Sequence, residues 1–81
     1  MLYTGKLYNR DIVTVKPTGI EKRFVNDGLI CELFVSTNDE YYFNDIAGNE
    51  VKKIENCNTL EDATKEFNKQ MDILIEEYNY N

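Results

Sequence analysis

The sequence predicts an α+β domain in which an antiparallel meander of five to six short strands, curled or partly barrel-like, packs against one C-terminal amphipathic helix. Three observations predict it. From Leu60 to Tyr78 apolar residues recur at the spacing of a helical turn. Asp27-Gly28 stands between two runs rich in strand formers, a strong hairpin signal because both positions tolerate positive φ. Upstream of the helix, turn-forming residues interrupt the chain every few positions. At 81 residues the chain is expected to be one domain, with residues 1–56 as sheet and 59–79 as helix. It is too small for a second lobe to close over a substrate.

The elements follow in order. Leu2 to Tyr8 and Ile12 to Lys16 read as a first hairpin, split by Asn9, Arg10 and Asp11. Pro17, Thr18 and Gly19 then break the chain, since Pro17 has no N–H for a ladder. Ile20 to Asn26 and Leu29 to Ser36 flank Asp27-Gly28, and a two-residue turn there sets Val25 opposite Ile30 and Phe24 opposite Cys31. In that register Ile20, Phe24, Leu29, Cys31, Leu33 and Val35 share one face, the expected core face. A polar turn over Thr37 to Glu40 sets Val35 opposite Tyr42 and Phe34 opposite Phe43. This places Val25, Ile30, Phe34, Tyr41 and Phe43 together on the second face. Both faces then need cover, which a curling sheet would supply. Tyr41 to Ile46, a turn at Ala47-Gly48-Asn49, and Val51 to Ile54 complete the meander.

Along the helix, Leu60, Ala63, Phe67, Met71, Leu74 and Tyr78 fall on one side, with Thr64 and Ile75 at its edge. Burying six such side chains contributes on the order of 10 kcal/mol before entropy is counted. Glu61, Asp62, Lys65, Glu66, Lys69, Asp72, Glu76 and Glu77 face water. Thr59 with Asp62 three residues on resembles a capping box, and Asn58 is an alternative cap.

Chemistry is sparse. The chain has no histidine, which removes the side chain best suited to proton transfer near neutral pH and the commonest metal ligand. No nucleophile elbow, zinc motif, phosphate loop or C-x-x-C pair occurs, so no enzyme activity, cofactor or metal is expected. Asn44-Asp45 and Gly48-Asn49-Glu50 lack the ladder of ligands that a calcium loop needs. Tyr41-Tyr42-Phe43 and Gly48 have the look of one cell-wall-binding aromatic repeat, but the pattern occurs once and has no tryptophan for a ligand cage. Cys31 and Cys57 are expected to be thiols, with Cys31 serving as a small core hydrophobe. The longest apolar run is too short for a membrane span, and Met1 to Tyr8 lacks the regions of a signal peptide, so a cytoplasmic location is expected.

Charge carries the functional expectation. The formal net charge is −6. Residues 1–25 hold five Lys or Arg against two acids (+3), whereas residues 26–81 hold four against thirteen (−9). An acidic two-thirds repels phosphate, which disfavours direct nucleic-acid binding and favours a basic protein partner. Asn, Lys, Ile and Tyr supply 30 of the 81 residues, as AT-rich codons would, pointing to a low-GC bacterium or its phage. The chain thus resembles small acidic phage inhibitors that present carboxylates where phosphates would lie on a host nuclease. By that analogy the partner-binding residues are Asp62, Glu66, Glu76 and Glu77 on the helix, with Asp39 and Glu40 in a turn. Ile73 joins them as an apolar side chain in the middle of the charged arc, the layout of a small hot spot. The alternative is a small ligand-binding or structural domain, or a homodimer, with a pocket between sheet and helix.

Overall fold

Turn chemistry decides where this chain reverses, and the computed structural model, which describes residues 3–24, 29–44 and 50–80, shows it at the turns it describes. Among the described residues five strands precede one helix: β1 (Tyr3–Tyr8), β2 (Asp11–Phe24), β3 (Leu29–Ser36), β4 (Tyr41–Asn44), β5 (Val51–Lys53) and α1 (Leu60–Tyr80). The strands form one open antiparallel sheet in the order β1-β2-β3-β4-β5. The expected turns at Asp27-Gly28 and Ala47-Gly48-Asn49 lie outside the described residues.

Tyr8 pairs with Asp11, leaving Asn9 and Arg10 as a two-residue loop with φ of 49° and 73°. Two successive positive φ values match the right-handed strand twist, the reason such turns favour Asn followed by Gly. Arg10 occupies the glycine position and carries the left-handed strain of a side chain there.

β2 is one long strand where two were expected. Pro17 pairs with Phe34 and Glu21 with Glu32, so four steps along β2 oppose two along β3, a bulge of two extra residues. Gly19 takes φ +91°, and the Thr18 hydroxyl donates to the Leu33 carbonyl at 2.8 Å while accepting from the Ile20 N–H at 3.3 Å. The side chain thereby replaces ladder bonds that the bulge breaks, so Pro17-Thr18-Gly19 bends the strand without ending it.

Beyond the bulge Arg23 pairs with Ile30 and Phe24 with Leu29, displaced by two residues from the expected register. A displacement of two leaves every side chain on its expected face. At the next turn the displacement is one, with a different outcome. Asp39 adopts φ 61°, its N–H donates to the Ser36 carbonyl at 3.1 Å, and the Ser36 N–H donates to the Glu40 carbonyl at 2.8 Å. The Ser36 hydroxyl also accepts from the Asn38 and Glu40 N–H groups. This three-residue loop pairs Leu33 with Phe43 and Phe34 with Tyr42, which turns β4 over. Tyr41 and Phe43 therefore face the helix, and Tyr42 faces away from it, the reverse of the expectation.

Each face of the sheet supports a core. On the helix side Cys31, Leu33, Tyr41, Phe43 and Ile54 pack with Ala63, Phe67 and Met71, joined by the partly buried Ile20, Val35, Leu74 and Ile75. The Phe43 and Phe67 rings meet edge to face at 6.4 Å. On the other side Val15, Phe34, Tyr42 and Val51 pack with Tyr8 and Val13, and Tyr8 meets Tyr42 at 5.2 Å. All five strands supply that second core, and β1 lies against β5, so the sheet curves around its own outer face. Where β4 ends, the Asn44 side chain accepts from the Glu32 N–H and donates to the Ile30 carbonyl, extending the β3 ladder by one amide. The helix is capped as expected, with the Asp62 N–H donating to Thr59 Oγ1 at 3.1 Å. Its stripe meets the sheet one turn later than expected, at Ala63, which leaves Leu60 44% exposed.

Two outcomes follow for stability. Phe67→Asp buries a charge among apolar side chains at a cost of several kcal/mol, enough to abolish the helical circular dichroism of so small a domain. Arg10→Gly removes the strain in the first turn and raises the free energy of unfolding by about 1 kcal/mol in a urea titration.

Candidate interaction surface

The sequence-predicted contact residues divide into two groups. Asp62 and Glu66, one helical turn apart, line an open groove of about 590 Å³ between the first half of α1 and residues 52–57. Asp39 and Glu40 lie on the other side of that connector, beside a depression that shares Lys53, Ile54, Glu55, Asn56 and Cys57 with the groove. The connector, turned by Asn56 at φ 62°, therefore brings these four acids around one segment. Ile73, Glu76 and Glu77 are not part of this group. Ten residues separate Glu66 from Glu76, about 15 Å along a helix.

The two groups differ in charge. Lys52, Lys53 and Lys65 line the groove together with Glu55, Asp62 and Glu66, three cations against three anions. Glu40 is already bound to Lys53 in an ion pair, and Lys65 approaches Glu61 at 3.7 Å. Glu66 accepts from the Gln70 amide at 3.1 Å. On the outer arc of the second half of α1, by contrast, Asp72, Glu76 and Glu77 are exposed around Ile73, with Lys69 as the cation of that arc. Ile73 is itself 44% exposed. Lys65 was legible among the helix acids, but the placement of Lys52 and Lys53 beside the groove was not. The Lys52-Lys53 doublet was visible, but its partners depend on the β4–β5 register, which sets Lys53 opposite Tyr42.

Side-chain chemistry near the connector is muted. Burial, followed by the charges of Glu66 and Asp62, pushes the Cys57 thiol up from its ordinary value, so it is protonated at neutral pH and a poor nucleophile. Cys31 is buried in the helix-side core, and neither cysteine forms a disulfide. Among the described residues no group of three or more His, Cys, Asp or Glu side chains is placed to hold a metal ion. No helix among them is long and apolar enough to cross a membrane. The chain matches no protein-family model, no curated protein and no solved structure.

The Lys53–Glu40 pair sits beside Tyr42, and both Tyr42 and Lys53 titrate late. Burial, then the charge of Glu40, raises the Tyr42 hydroxyl above its ordinary 10.0. The hydrogen bond to Glu40 raises Lys53 above its ordinary 10.5. In each case the folded chain holds a proton that the unfolded chain releases earlier. The stability involved is therefore complete below about pH 10 and is lost as pH rises through the raised values. Thermal melts across the alkaline range should show a falling midpoint above that pH, and a shallower fall in the Tyr42→Phe, Lys53→Met double variant.

Proposed function

We propose that this protein is a non-catalytic interaction protein, a small acidic inhibitor of the kind carried by phages and mobile elements. Its target is a basic, nucleic-acid-binding host protein such as a defence nuclease, and the carboxylates of α1 stand where nucleic-acid phosphates would lie. The observation that carries this reading is the charge of the helix. Over Leu60–Tyr80 it bears six carboxylates against two lysines, a net −4, and Asp72, Glu76 and Glu77 in its second half are exposed.

Asp62 with Glu66 and Asp72 with Glu76 are pairs one turn apart, about 5.4 Å along the axis, on a rigid rod. Carboxylates presented in this way steer a cationic groove toward the helix and exclude the groove's usual ligand. The −6 net charge of the whole chain acts in the same direction. The reading also places the protein in the cytoplasm, where such a target works.

One observation favours the second reading, a small ligand-binding domain. The groove beside the connector has the volume of a ligand site. Its balanced charges and open shape suit a ligand less well than the apolar, enclosed sites that most small molecules occupy. Native mass spectrometry separates the two readings by the presence or absence of a co-purifying small molecule.

Reversing Asp62, Glu66 and Glu76 together to Lys tests the first reading. All three lie outside both cores, so the fold should survive. Calorimetry against the protein recovered by pull-down from a low-GC host at low salt should show affinity reduced on the order of 100-fold. Unchanged affinity would remove the acidic helix from the interaction.

A further inference from the structure

Two exposed isoleucines stand at the centres of patches with opposite charge. Ile12, 71% exposed, follows the first turn on β2, where Arg10 and Lys16 are also exposed. Strand alternation puts Ile12 and Lys16 on one face and the preceding Asp11 on the other. Near Ile12, Arg10 and Lys16 outweigh the single acid Asp11. Ile73, 44% exposed, lies on the outer arc of α1 among Asp72, Glu76 and Glu77, in the part of the chain that carries −9.

We propose that the occupant of this helix face, in the free protein, is the β1–β2 hairpin of a second copy of the chain. The inference rests on the reading that the outer face of α1 docks basic surfaces, and it names one such surface. Each molecule offers both patches, so a two-fold dimer makes the contact twice, hairpin on helix and helix on hairpin. The doubling matters because a single isoleucine-centred patch falls short of the roughly 1,000 Å² that a specific interface buries. Ile12 and Ile73 supply the apolar anchors, and Arg10 and Lys16 against Asp72 and Glu76 supply register and steering. A dimer of this form covers the acidic face until a more strongly basic target displaces the hairpin, so self-association and target binding compete.

Sedimentation equilibrium of the purified full chain tests the proposal without any target. The expected result is a concentration-dependent dimer at low salt that shifts toward monomer at high salt. Ile12→Glu and Ile73→Glu should each weaken dimerisation about 10- to 100-fold with unchanged melting curves. An equimolar mixture of the two variants should associate more tightly than either alone, because the mixed dimer retains one intact contact. Arg10→Glu provides a variant remote from both cores, and its weakening should be reversed when Glu76→Arg is added to the same chain. A wild-type chain that stays monomeric at millimolar concentration overturns the proposal and leaves the target-binding reading to its own calorimetric test. A dimer that Ile12→Glu and Arg10→Glu leave intact also overturns it, since the helix would then be pairing with something other than the hairpin.

Discussion

A sheet with apolar side chains on both faces and a single helix to cover them is the constraint on which the rest of this structure depends. The helix, about 10 Å across with its side chains, can shield one face. The other face has only the sheet itself to turn to. Val15, Phe34, Tyr42 and Val51 are drawn from four different strands and are nonetheless buried together. That requires curvature strong enough to bring β1 against β5. The Pro17–Glu21 bulge lies within β2, the long strand that has to make the bend. Curvature is therefore a solvation requirement first, and the bulge is the means by which the backbone meets it.

The same division governs charge. Lysines of β5 and of the first helical turns sit among the acids of the connector and the β3–β4 turn, so charge there helps to hold the connector in place. Burial along α1 is complete at Ala63, Phe67 and Met71 and only partial at Leu74 and Ile75. Over that last stretch the helix is held less firmly by the sheet, and Asp72 and Glu76 are exposed on its outward side. In the proposed role this division lets one end of the helix anchor while the other presents charge.

How much could be read from the sequence depended on whether a residue's surroundings were local. The helix, its Thr59 cap and the exposure of Ile73 were legible, because a 3.6-residue period fixes which side chains share a side. The first hairpin was legible from Asn9 and Arg10. Strand register was not, because it is set by loop geometry at a distance. The β2–β3 error was two residues and cost nothing in face assignment, whereas the β3–β4 error was one residue and inverted Tyr41, Tyr42 and Phe43. Nothing in the composition of Thr37 to Glu40 announced that Asp39 would take a left-handed conformation and shorten the loop. The candidate site followed the same rule: which of its residues share a helix face was legible, and the pairing of Lys53 with Glu40, which needs cross-strand register, was not.

The bulge in β2 also sets a parity on the chain's length. Because it inserts two residues, the strand on either side keeps the same assignment of odd and even positions to the two cores. Removing or adding a pair of residues between Pro17 and Glu21 would alter the bend but return every later side chain to its own face. A change of one would send the flanking segment's inward residues outward, and Thr18 could no longer reach the Leu33 carbonyl that now receives its hydroxyl. Insertions and deletions at this point are thus filtered by evenness before they are filtered by size.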